Sequence, residues 1–237
     1  MDKQQIISQL VDVRNHELWA DVCAKLAVTF EESENSEYSV YTIDNSATFY
    51  IPQGDYCADS FTHELLHAHI AAKECYIGGN FRMVMWRSRI LEPILDTQLC
   101  EHITNCVQHR MMLPRYLSMG FDRSKFLYDY KLHKGDPQFL ARIKKLYKEG
   151  SIYNRSAIKN LIGKYFAMAC DPNPAFDYSK EMKLLLTIDP QLVHAMIIYL
   201  NLWDNYDFEN DLYRGYADNN ETFYNGLKAW LNGKRFA

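Results

Sequence analysis

The stretch SFTHELLHAHIAAKECYIGG, Ser60 to Gly79, holds three residues whose types and spacing could do chemistry together. On a helix of 3.6 residues per turn, His63 and His67 point the same way. Two imidazole nitrogens can then reach one ion, about 2.0–2.1 Å away if it is zinc. Glu64 lies about 100° round the helix, beside such an ion. There its carboxylate can take a proton from a bound water whose pKa the metal has lowered toward ~7. The neighbours favour a helix packed into the protein. No Lys or Arg occurs from Asp55 to Ala72, and Phe61, Leu65, Leu66, Ala68 and Ala72 are apolar. A solvated helix of that length usually carries cations. Buried imidazoles need partners, and the alternatives are a metal or hydrogen bonds within a core.

A catalytic zinc takes three protein ligands and keeps one position open. His69, two residues past His67, lies on another side of the helix and reads as a supporting or surface group. Better third ligands lie in ILDTQLCEHITNCVQH, Ile94 to His109, which also lacks Lys and Arg. Glu101, Asn105 and His109 are spaced i, i+4, i+8 and form one polar row. Leu95, Leu99, Ile103, Cys106 and Val107 occupy the other sides. Such a row aims at something internal. His109, or His102 on the flank of the row, could complete a three-histidine site.

The His63-Glu64-x-x-His67 arrangement resembles the H-E-x-x-H signature of zincin metallopeptidases, over roughly Tyr38 to Phe121. The metzincin branch is excluded, because Ile70 and Lys73 stand where it has glycine and histidine. Glu101 followed by Asn105 is similar to the gluzincin pattern, which implies Glu101 as third ligand. Asn105 would then be the partner of a ligand histidine, although gluzincins carry an acid there. The resemblance implies a zinc-dependent peptidase with Glu64 as general base and a peptide or protein as substrate. It also implies a donor for the oxyanion, with Tyr116, His133 and His194 as candidates. The strand ATFYIP would resemble the zincin edge strand that pairs with an extended substrate, so Tyr50 and Ile51 would line the cleft.

The elements that must position these residues can be read from periodicity and breakers. Apolar residues recur at helical spacing from Gln4 to Phe30. YSVYTI and ATFYIP flank a short Asx turn and predict a hairpin. The His63 helix is predicted to start at an Asp55 or Asp59 cap and to stop at Gly78–Gly79. Pro93 would sit in the first turn of the next helix, which would end before Pro114. Further helices are predicted near 123–132, 137–148, 156–168, 179–186, 190–203 and 221–231. The fold class is therefore α+β and predominantly helical: a small β-hairpin or sheet packed near the HExxH helix, then a helical C-terminal half. Residues 1–122 would form the metal-binding core and 123–237 a helical region, within one domain or beside it.

A net charge of −4 creates no basic field, so nucleic acid is not an expected partner. The longest apolar run, Leu192–Trp203, is too short to span a bilayer, so no membrane partner is expected. The N-terminus lacks the pattern of a secretory signal. The six cysteines show no C-x-x-C pair and read as reduced thiols of a cytoplasmic protein. Two further function classes stay open: a zincin scaffold that binds or regulates without turnover, and a helical interaction protein without metal.

Overall fold

The computed structural model describes residues 3–35 and 37–237. It is α+β and mostly helical, with ten α-helices and two three-stranded sheets among the described residues. Two compact units divide the chain: Met1–Cys75 with Met111–Lys131, and Tyr76–Arg110 with Leu132–Ala237.

The first unit opens with helices α1 (Lys3–Leu10) and α2 (His16–Lys25). The helical periodicity expected through Phe30 ends early. Leu26 is extended, and Ala27–Glu32 forms strand β1. Val28 and Thr29 are β-branched and stiff, and they pack better on a pleated surface. Strands β2 (Ser39–Ile43) and β3 (Ser46–Ile51) form the expected hairpin. β3 also pairs in parallel with β1, from Ala27 opposite Ser46 to Glu32 opposite Ile51. The order is β1-β3-β2, so β3 is central.

Helix α3 (Ala58–Ala72) carries the His63 motif. Its inner face adds Phe61 to an aromatic core with Trp19, Phe30 and Phe49, and the Phe49 and Phe61 rings are 5.2 Å apart. Cys57 precedes the helix without a side-chain cap, so neither expected aspartate caps it. Asp59 instead accepts a hydrogen bond from the Asp122 backbone N–H at 3.0 Å. Fully buried Asn15 anchors the helix, donating to the Leu10 carbonyl at 2.9 Å and to Thr62 Oγ1 at 2.8 Å. The helix stops at Ala72, before Gly78–Gly79, with Glu74 left-handed (φ 58°).

Those two glycines lie in the first turn of α4 (Ile77–Met85), where Ile77, Phe81, Val84 and Met85 form a buried stripe. Helix α5 (Thr97–Ser118) also departs from expectation at both ends. Asp96, not Pro93, marks its start, accepting from the Leu99 N–H at 3.0 Å. The helix runs through Pro114. Met112 and Tyr116, both buried, repay the backbone bond lost there. No long helix covers 123–132. A single 3-10 turn, Arg123–Lys125, is capped by the Asp122 side chain. Phe126 is buried while Tyr128 is 89% exposed and Leu132 62%, so no continuous apolar stripe supports a helix there.

The remaining helices belong to the second unit: α6 (Pro137–Leu146), α7 (Arg155–Ala169), α8 (Ser179–Ile188), α9 (Pro190–Asp204) and α10 (Gly215–Leu231). Asp136, Asn154 and Asp189 cap α6, α7 and α9 through their side chains. The core stacks Tyr199 on Phe223 at 4.3 Å, with Phe81 and Phe166 alongside. Asn220, fully buried, accepts from the Tyr199 hydroxyl at 2.9 Å and donates to Asn80 Oδ1 at 2.8 Å. Three two-residue strands, β4 (Lys148–Glu149), β5 (Ile152–Tyr153) and β6 (Arg235–Phe236), form the second sheet. They are too short to leave a periodic trace.

Candidate metal centre

His63, His67 and His109 stand together: one nitrogen from each lies within 4.8 Å of the other two. His63 and His67 arrive on successive turns of α3, with their Nε2 atoms 3.1 Å apart. His109 comes from α5, two residues before the part of that helix that belongs to the first unit. Nitrogens at the corners of a zinc tetrahedron are roughly 3.3 Å apart when each is 2.0–2.1 Å from the ion. The His63–His67 spacing meets that already, and the third nitrogen is close enough to join by a small side-chain rotation. His63 and His109 are buried and His67 is half-buried. The donor set is three imidazoles, which suits zinc and other borderline divalent ions.

Burial, then the neighbouring His67 imidazole, holds His63 well below the usual imidazole range, against the opposing pull of the Phe126 backbone. His63 is therefore neutral near pH 7, the form that binds a metal. The Phe126 ring closes over it at 4.7 Å and packs on Tyr116 at 5.0 Å. Glu64 lies at the edge of the group, its Oε1 3.8 Å from His63 Nε2. Burial pushes its carboxyl up to about 8, although the Val40 backbone hydrogen bond pulls it down. That bond ties the carboxylate to β2. A nearby dication favours the ionised form and so reverses the effect of burial.

The other residues named from sequence are placed as follows. Glu101 is exposed and does not belong to the group. Eight residues of helix set it roughly 12 Å along α5 from His109, too far for both to reach one ion. Asn105 is exposed on the same row, and the gluzincin-like pair has no counterpart at this site. Of the ligands considered, His109 is the one brought beside His63 and His67. His102 is engaged elsewhere, its Nε2 3.0 Å from the Gly163 carbonyl. His69 is fully buried, with its Nε2 2.7 Å from an Arg115 guanidinium nitrogen.

Of the oxyanion candidates, Tyr116 and His194 are hydrogen-bonded elsewhere. The Tyr116 hydroxyl donates to the Asp122 carbonyl at 3.3 Å, and burial pushes its pKa far up. His133 packs on Phe176 and Tyr178, and exposed His194 meets the Pro190 carbonyl at 2.7 Å. β3 has no free edge for a substrate, being paired on both sides. Ile51 is buried in the core while Tyr50 lies on the opposite face, because neighbours on a strand alternate.

Val40, Phe126 and Arg115 complete the surroundings of the motif helix, and sequence reasoning did not single them out. Their contacts depend on side chains meeting across long sequence separations, which leave no local periodic mark.

Comparison with protein-family models, with curated proteins and with solved structures gives no match.

Proposed function

We propose that the chain is a zinc-dependent peptidase of zincin type, with His63, His67 and His109 as the metal ligands. The observation that carries this reading is the convergence of three imidazoles with the Glu64 carboxylate at their edge. Metal binding alone does not require that glutamate, whereas hydrolysis does. A bound zinc supplies a Lewis acid for the scissile carbonyl and acidifies the attacking water. Glu64 takes the proton from that water and returns it to the leaving amine. Its tie to the Val40 backbone holds it in place between the two transfers.

An extended peptide would add to β2, the outer strand next to Glu64, rather than to β3. Tyr41 and Ile43 project from β2 as exposed side chains that such a substrate would cover. No helix among the described residues is long and apolar enough to cross a membrane. Cys23, Cys57, Cys100 and Cys170 are reduced thiols. The reduced thiols are what supports the cytoplasm as the working compartment.

The test is to incubate the zinc-loaded protein with a mixed peptide library and read new termini by mass spectrometry. The proposal expects cleavage that disappears in Glu64→Gln while zinc stays bound. Zinc-loaded protein that cleaves nothing, or a Glu64→Gln variant that cleaves like wild type, would overturn it. The first of those outcomes would leave a metal-bearing scaffold that binds or regulates without turnover.

A further inference from the structure

We infer that Arg115 and His69 form a positioning pair that holds the two ligand-bearing helices in register for metal; this rests on the metal site proposed above. His69 lies two residues past His67 on α3, and Arg115 six residues past His109 on α5. Both are inside the first unit. The guanidinium can only donate, so His69 Nε2 is the acceptor. The bond is short, at 2.7 Å, and His69 has no solvent exposure. A charged donor to a buried acceptor is both stronger and more directional than a bond between neutral groups.

The geometry makes this pair a brace beside the site and not a ligand. His69 projects from α3 about 120–160° round from the His63–His67 row. It therefore cannot turn to the ion while bonded to Arg115. Along the axis it stands only about 3 Å beyond His67. Rotation or sliding of α3 against the last turns of α5 would break the bond before it separated the ligand nitrogens far. The brace thus removes motions that would cost metal affinity, as partners of metal ligands do by fixing orientation. The cavity of about 260 Å³ lined by His102, Phe139, Lys159 and Lys164 offers no comparable case. Its ionisable groups are already committed: His102 to Gly163, Lys159 to Asp96, and Lys164 to the Lys134 carbonyl.

The test measures zinc affinity by chelator competition, the Co²⁺ ligand-field spectrum, and the melting midpoint of metal-free protein. The variants are Arg115→Met, Arg115→Lys, His69→Phe and His69→Gln. Positioning predicts that Arg115→Met and His69→Phe weaken zinc binding about 10–100-fold and alter the Co²⁺ spectrum. His69→Gln, which still offers Arg115 an acceptor, stays within about threefold of wild type, and Arg115→Lys falls between. If Arg115→Met fails to fold, the contrast between His69→Gln and His69→Phe decides. Equal affinities across the variants would overturn the inference, as would affinity losses that only track loss of metal-free stability. A wild type that binds no zinc would instead remove the site itself. The two failures are therefore distinct.

Discussion

At the scale of residues, the distance between Glu64 and His63 sets what substitution should do. Glu64 Oε1 is 3.8 Å from His63 Nε2, and the carboxylate is held by the Val40 backbone. Glu64→Asp keeps a carboxylate but withdraws it by about one C–C bond. Misplacing a base by about 1 Å costs on the order of 10²-fold, so peptide cleavage should fall by about that factor with zinc content unchanged. His102 is the useful contrast. It lies one residue from Glu101 but bonds the Gly163 carbonyl. His102→Ala should leave zinc content intact and lower stability by about 1 kcal/mol, read by chemical denaturation. Loss of zinc from that variant would mean that the wrong histidine has been excluded.

At the scale of elements, legibility followed how local the cause was. The hairpin and helices α6 to α9 rest on periodicity and breakers within about fifteen residues, and they lie near their predicted bounds, whereas α3 forms around its motif but ends before Gly78–Gly79. β1 was hidden because Leu18, Val22 and Leu26 continue a helical spacing into it. Only its pairing with β3, nineteen residues on, selects the strand. Which member of the α5 row lies beside His63 and His67 is not legible from spacing. Spacing showed that Glu101 and His109 share a side of α5, but not which turn of that helix faces α3. That depends on packing, as does the survival of α5 past Pro114.

The start of α10 offers a test at the same scale. Arg214 precedes it in the left-handed region, and Asp211 accepts hydrogen bonds from Tyr206 Oη at 2.5 Å and the Tyr213 N–H at 3.0 Å. Burial pushes the Asp211 carboxyl up, but the Tyr206 hydroxyl and the Tyr213, Gly215 and Tyr216 N–H groups outweigh it and hold it below the usual range. A depressed folded pKa adds stability that is present above the unfolded value, about 3.9, and is lost as pH falls through the folded one. Asp211→Asn should therefore be less stable than wild type at pH 7. The two denaturation curves should converge as pH falls through the lowered folded value of this carboxyl. A difference that persisted unchanged at low pH would contradict this role for the carboxylate.

At the scale of the whole molecule, each unit has its own core, aromatic in both cases, and α5 is continuous through the residues assigned to each. Anything that binds the folded chain and not the unfolded one raises stability by mass action. Free zinc at about a thousandfold over its Kd should raise the unfolding free energy by about 4 kcal/mol. Thermal unfolding with and without zinc checks this, and His63→Ala should abolish the increase.

The measurement closest to the central claim is zinc per chain by mass spectrometry on purified, untagged protein, with His63→Ala, His109→Ala and Glu101→Ala alongside. One zinc is expected in wild type and in Glu101→Ala, and loss of zinc in both histidine variants. Zinc lost from Glu101→Ala but kept in His109→Ala would contradict the ligand set. A folded wild type that refuses added zinc would contradict the site.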